Sequence, residues 1–274
     1  MRDRGQHGGP GGATDQGKEL ARLYDLDLLE DPGDLDLYVA LARRTGGPIL
    51  ELGVGTGRVA VPLAEAGYEV TGVDIDPAML ARARDRASQA RALDRLELIE
   101  GDLLTAHLEK AGSFGLGIIA LNSLLLLGDR NDQARALRVL ANHLTPGGLA
   151  VVDVWLPDAD DLARFDGRLI LEYTRDDPES GNLVVKAASA LHDAVTQRVR
   201  LTTVYEEGRQ GAPADRWVRR DHLRLVGADE LAALAEAAGL VVESLAGDYD
   251  LEPLRPGSER AVLLAVKPGS SGLV

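Results

Sequence analysis

Short apolar runs and amphipathic stripes alternate from Glu19 to Trp155, after which the pattern changes. Leu20, Leu23 and Tyr24 share one face of a predicted helix, and Leu35, Leu37, Tyr38 and Leu41 share one face of a second over residues 35–44. Apolar runs at 48–52, 69–73, 96–100, 116–121 and 149–155 predict strands. Between them, Val59, Val61, Leu63 and Ala64 mark a helix closed by Gly67. Asp76-Pro77 opens another to about residue 90, aspartate as cap and proline at the first helical position. The arginines of that segment, Arg82, Arg84 and Arg86, read as a solvated face. Residues 132–143 form a further helix, stopped by Thr145-Pro146-Gly147-Gly148.

Residues 157–227 replace this alternation with strand-like stretches at 169–174, 183–191, 197–206 and 216–226, separated by Asp176-Asp177-Pro178, Ser180-Gly181 and the turn residues from Gly208 to Pro213. They read as an antiparallel insertion after the fifth strand. A helix at 228–238 and strands at 240–245 and 260–266 then complete the chain. The expected organisation is a disordered glycine-rich tail over 1–17, a cofactor-binding part over 18–156, the insertion over 157–227 as substrate lid or dimer surface, closing elements over 228–268, and a flexible tail over 269–274.

The stretch Glu51-Leu52-Gly53-Val54-Gly55-Thr56-Gly57 joins the first strand to a helix through three alternating glycines, which permit a tight turn and close approach of backbone to a ligand. Gly55-Thr56-Gly57-Arg58-Val59-Ala60 also fits the dinucleotide pattern. Two features favour a cationic ligand instead. Glu51 stands two positions before the first glycine, where a diphosphate loop gains nothing from a fixed negative charge. Asp74 and Asp102 follow the next two strands, where the first can accept from ribose hydroxyls and the second from an adenine amino group.

The run just quoted, then Val73-Asp74-Ile75-Asp76-Pro77-Ala78-Met79-Leu80, then Glu100-Gly101-Asp102-Leu103, resembles the class I S-adenosylmethionine-dependent methyltransferases in order, spacing and residue type. The resemblance spans about residues 20–268, by motif in the first half and by pattern in the second. It implies a doubly wound, Rossmann-like α/β fold with six parallel strands, one antiparallel strand and the antiparallel β insertion. It implies S-adenosyl-L-methionine as cofactor, with no metal. Gly53, Gly55 and Gly57 would approach the methionine portion and Glu51 would help orient it. Asp74 would hold the ribose, Asp102 with Leu103 would bracket the adenine, and Ile75 and Asn122 would complete the cofactor set.

The segment after the fourth strand, Asn122-Ser123-Leu124-Leu125, departs from the Asn/Asp-Pro-Pro-Tyr of methylases acting on nucleobases or glutamine. The remainder resembles the small-molecule branch that includes amino-sugar and glycine-type N-methyltransferases. Some sugar N-methylases carry a histidine shortly after the fourth strand, where this chain has Leu126. Among the histidines His222 is the best base candidate, on a strand whose alternation puts Arg220, His222 and Arg224 on one side; that cationic side either receives an anionic substrate or is an exposed sheet face paired with the surplus carboxylates. Tyr24 is a candidate lid over the sulfonium or substrate, or else a helix anchor. Trp155 either lines an acceptor pocket or closes the core. His7, His107, His143 and His192 receive no role.

Composition narrows the partners. A formal net charge of -14 opposes binding to phosphate backbones. Zero cysteines remove disulfides, thiolate metal sites and a cysteine nucleophile. The start does not resemble a signal peptide, and the longest apolar run, 116–127, is broken by Asn122 and Ser123 and too short to span a bilayer. The expectation is a soluble cytoplasmic enzyme acting on nitrogen or oxygen of a small molecule, with no nucleic-acid or membrane partner, and with homodimerisation open.

Overall fold

The computed structural model describes residues 14–269 except Asp31, His107, Glu109, Lys110, Gln210 and Ala212. His7, His107 and most of both expected tails lie outside the described residues. The N-terminal tail was expected to reach residue 17, but Thr14 caps a helix by accepting from Gly17 N at 3.0 Å, so α1 (Asp15–Asp27) starts within it.

The order continues with α2 (Leu35–Thr45), β1 (Ile49–Leu52), α3 (Ala60–Glu65), β2 (Val70–Asp74), α4 (Pro77–Gln89), β3 (Leu96–Glu100), β4 (Phe114–Ile119), α5 (Arg130–His143) and β5 (Leu144–Trp155). The insertion holds α6 (Ala159–Arg164), β6 (Ile170–Asp176), β7 (Leu183–Asp193), β8 (Arg198–Gly208) and β9 (Asp215–Arg224). Then α7 (Ala228–Ala237), β10 (Val241–Ala246) and β11 (Arg260–Val266) close the fold.

One sheet has the order β10-β11-β5-β4-β1-β2-β3, and only β11 runs against the others. Strand alternation divides its apolar side chains between two helical layers. Leu50, Leu52, Phe114, Ile119, Val152 and Val154 pack with α5 and α7. Ile49, Leu116, Ile118, Leu149 and Val151 pack with α2, α3 and α4. Glu51 and Asp153 share the parity of this second set, so both carboxylates point toward the α2 layer.

The other sheet is antiparallel, order β6-β7-β8-β9, as the insertion's turns predict. Two details differ from expectation. The fifth strand starts at Leu144 because the Thr145-Pro146-Gly147-Gly148 segment bulges between Phe114↔Leu144 and Leu116↔Leu149 rather than ending the element. The short α6 arises where only strands were read, closed by a reciprocal cap between Asp158 and Asp161.

Helix α1 holds the two sheets together. Leu23 and Leu26 pack on Val184 and Tyr205 of the insertion. Arg22 reaches into it to pair with buried Asp177 and Glu207. Asp27 accepts from Tyr173 Oη at 2.6 Å, Tyr205 Oη at 2.8 Å and Lys186 Nζ at 2.8 Å. On its other side Asp25 accepts from Thr56 Oγ1 in the glycine loop at 2.6 Å, from Arg82 Nε at 2.6 Å and from Arg86 Nη2 at 3.1 Å. Arg82 and Arg86 are thus anchors for α1, correcting the solvated-face reading. Arg84 alone of the three is exposed.

Candidate active site

The carboxyl ends of β1, β2, β3 and β4 meet beneath α1. Gly53, Gly55 and Gly57 all adopt left-handed φ, +79°, +54° and +78°, which a side chain would strain. Added Cβ atoms would crowd Ser123 at Gly53 and Val61 at Gly57, both within 3.1 Å, whereas at Gly55 one would enter open space on the cleft side. The loop is therefore packed at both ends and bare in the middle.

Glu51 lies at the base of this cradle, 2% exposed, with no hydrogen-bond partner for Oε2 among the described residues. Burial pushes its carboxyl up to about 8, and the neighbouring carboxylates of Asp34 and Asp74 add to the rise while Arg58 opposes it. Arg58 is itself committed to fully buried Asp34, through paired bonds of 2.5 and 2.6 Å. A buried carboxylate oxygen without a donor fits a ligand that supplies positive charge and N–H groups.

Asp74 accepts from Gly55 N at 2.8 Å and Asp76 N at 2.9 Å, which aims the carboxylate and leaves each oxygen another lone pair. Burial holds its pKa above the usual carboxylate range. Next to it, Ile75 is 68% exposed, an unusual position for a large apolar side chain beside a polar cradle. Asp102 uses Oδ1 on Leu104 N at 2.8 Å and keeps Oδ2 without a protein partner among the described residues. Leu103 is half-buried beside it.

After β4, Leu121 and Asn122 are consecutive left-handed residues, φ +46° and +67°, a conformation costly outside glycine. Buried Asp153 fixes the first by accepting from Leu121 N at 2.9 Å, and it also accepts from Tyr38 Oη at 2.6 Å and Tyr249 Oη at 3.0 Å. Asn122 Oδ1 accepts from Trp155 N at 2.6 Å, so that oxygen secures the end of β5. Trp155 packs its ring against Phe165 with centroids 5.8 Å apart.

Tyr24 sits on Met79 above the loop, and its hydroxyl has no protein partner among the described residues. Burial raises the phenol above its ordinary range, with Arg58 and Arg219 pulling the other way and Asp25 and Glu51 reinforcing the rise. It stays protonated at neutral pH, a donor and not a base.

His222 is not brought to this cluster. It is exposed on the outer face of β9, opposite Arg200, beside a surface depression lined by Leu191, His192 and Asp193. The inner row of β9 is the other parity, Trp217, Arg219, Asp221 and Leu223. Trp217 packs on the cluster of Leu23, Leu26, Val184 and Tyr205, and Leu223 on the core cluster that includes Leu124 and Leu125. Of the two readings of the Arg220–His222 side, the exposed sheet face is the one the structure has. Arg58, Asp153 and Arg219 were missed, although the Arg58 position, one residue beyond the glycines, marked it for attention.

Comparison with known proteins accords with this geometry. A family described as a methyltransferase domain matches residues 49–148. The cypemycin N-terminal methyltransferase of a Streptomyces species is 27% identical over 254 residues, covering 88% of this chain and 93% of the relative. A putative methyltransferase of Bacillus subtilis, YqeM, is 32% identical over 136 residues, but the match spans only 53% of that relative's length. Among solved structures, the CcbJ methyltransferase from Streptomyces caelestis superposes with a TM-score of 0.74 at 25% identity, covering 86% of this chain and 96% of that one. The matched domain, these relatives and the shared fold support a class I S-adenosylmethionine-dependent methyltransferase, with S-adenosylmethionine as cofactor.

Proposed function

We propose that the chain methylates a nitrogen of a small-molecule amine. The observation that carries this reading is the cleft's polar inventory: the aromatic hydroxyl there, Tyr24, is held protonated, and the histidine read as a base lies on an outer face. An amine in its neutral form presents a lone pair and needs no base before attack, whereas a hydroxyl gains most of its reactivity by losing a proton. The name of the Streptomyces relative, an N-terminal methyltransferase, supports nitrogen independently.

The cofactor supplies an electrophilic methyl group on a sulfonium, already activated. The residues of this chain then bind, orient and exclude water. Glu51 Oε2 is the acceptor for the ammonium end, Asp74 for the ribose hydroxyls and Asp102 Oδ2 for the adenine amino group, with Ile75 and Leu103 on the ring faces. Gly55 leaves room for backbone approach, and Gly53 and Gly57 set the turn around it. Tyr24 covers the loop from α1 and donates its hydroxyl into the cleft, and Asn122 retains its amide N–H groups for the same space. The insertion's inner face roofs the acceptor side.

The test is transfer of a labelled methyl group from S-adenosylmethionine to a panel of small amines and their hydroxyl analogues. Product from amines alone is expected. Product confined to hydroxyl acceptors would overturn the nitrogen reading, and tight cofactor binding without any product would point to a non-catalytic module.

A further inference from the structure

Arg219 carries an unspent guanidinium fork at the roof of the cleft. Its Nε donates to both oxygens of Asp221, at 3.0 and 2.8 Å. Its two terminal nitrogens have no protein partner among the described residues, although the side chain is only 29% exposed. The neighbouring cations Arg22, Arg58 and Arg82 all close their terminal nitrogens on carboxylates.

Position makes the open fork informative. Along the inner row of β9, Trp217 is anchored under α1, and Leu223 packs on the core cluster that includes Leu124 and Leu125 of the turn Ser123–Leu126, which β9 contacts. Arg219 and Asp221 are the two residues between those anchors. They span the gap from α1 to the turn after β4, which is the mouth over the glycine loop, because Ser123 lies against Gly53. The charge of Arg219 reaches the hydroxyl of Tyr24 across this gap. Asp221 holds Nε from one side, so the paired N–H groups are presented away from it.

We infer that Arg219 is a carboxylate-binding residue of the cleft, contributed by the insertion and aimed by Asp221. A planar fork of parallel N–H donors matches a carboxylate. A doubly charged phosphate is disfavoured beside Asp221 in a chain of formal net charge -14. The carboxylate has two chemical sources, the amino-acid end of the cofactor or an anionic amine acceptor. The inference rests on the methyltransferase reading of the same site.

Calorimetry on wild type, Arg219→Met and Arg219→Lys separates the cases. The ligands are S-adenosylhomocysteine, 5′-methylthioadenosine, which lacks the amino-acid end, and glycine added to the S-adenosylhomocysteine complex. Arg219→Met should lose roughly 10- to 100-fold affinity for one carboxylate ligand, the scale of a hydrogen bond to a charged group. Loss on S-adenosylhomocysteine assigns the carboxylate to the cofactor, and loss on glycine assigns it to the acceptor. Arg219→Lys, which keeps charge without the fork, should fall between. Methylthioadenosine should bind all three proteins equally. Variants equal to wild type on both carboxylate ligands, or a parallel loss on methylthioadenosine, would overturn the inference. A wild-type protein that binds neither adenosyl ligand would instead bring down the methyltransferase reading itself.

Discussion

The cofactor cradle and the insertion sheet face one cleft but are built in opposite ways. The cradle is local: three glycines with left-handed φ, and carboxylates at successive strand ends whose orientation is fixed by backbone N–H groups within two or nineteen residues. The roof is remote. Its position depends on α1, through Arg22 bonding 155 and 185 residues away and Asp27 bonding 146 to 178 residues away. A local cradle survives drift in the rest of the chain and binds one cofactor. A roof held by side-chain pairs can be re-registered, which makes it the part suited to choosing among acceptors.

The comparison breaks most visibly at Arg22. Arg22→Ala would leave Asp177 and Glu207 buried without their cation, costing about 3–5 kcal/mol. Urea unfolding should show that loss, and an unchanged midpoint would mean that α1 does not carry the roof. In the cradle, Asp74→Asn should weaken S-adenosylhomocysteine by about 1–3 kcal/mol, the value of a hydrogen bond to a charged group. Calorimetry reads this directly, with the unfolding midpoint expected to move little.

Glu51 gives the cradle a pH signature that the roof lacks. Its carboxyl is raised from 4.5 to about 8, so the folded apoprotein holds a proton there that the unfolded chain has released. Stability from this group is complete below about 4.5 and declines as pH rises through about 8, by up to about 1.4 kcal/mol per unit. Glu51→Gln should flatten that decline in urea titrations run from pH 5 to 9, while weakening the cofactor. A slope identical to wild type would show that Oε2 is not isolated. The smallest effect belongs to His222→Ala: stability within about 0.5 kcal/mol and unaltered turnover, as expected of an exposed strand position. A large fall in kcat would restore His222 to the chemistry and reverse the assignment of β9's inner row.

The same contrast explains what could be read in advance. Gly53, Gly55, Gly57, Asp74 and Asp102 announce themselves because each is meaningful within its own strand-turn segment. The strands of the insertion were legible from alternation and turn residues. The side of β9 that faces inward stayed open between two readings, because both rows carry arginines. The choice is made by Leu20, Leu23 and Leu26 on α1, nearly two hundred residues earlier. Arg82 and Arg86 misled for the same reason: a lone arginine stripe on a helix looks solvated until Asp25 is known to lie above it. The α6 cap was different, since Asp158 and Asp161 spell a reciprocal helix start that the search for strands passed over.

Asp25 has a consequence in time as well as in space. It bonds Thr56 in the loop and two partly exposed arginines on α4, whereas Arg22 grips the insertion through the buried carboxylates of Asp177 and Glu207. When the cleft parts to exchange a spent cofactor, the seam on the Asp25 side is the one that water and salt weaken first. For α1 to leave with the insertion, the Asp25 pairs and the packing of Ala21 and Tyr24 on Ala78 and Met79 must both part. Raising ionic strength should accordingly quicken release of S-adenosylhomocysteine in stopped-flow measurements.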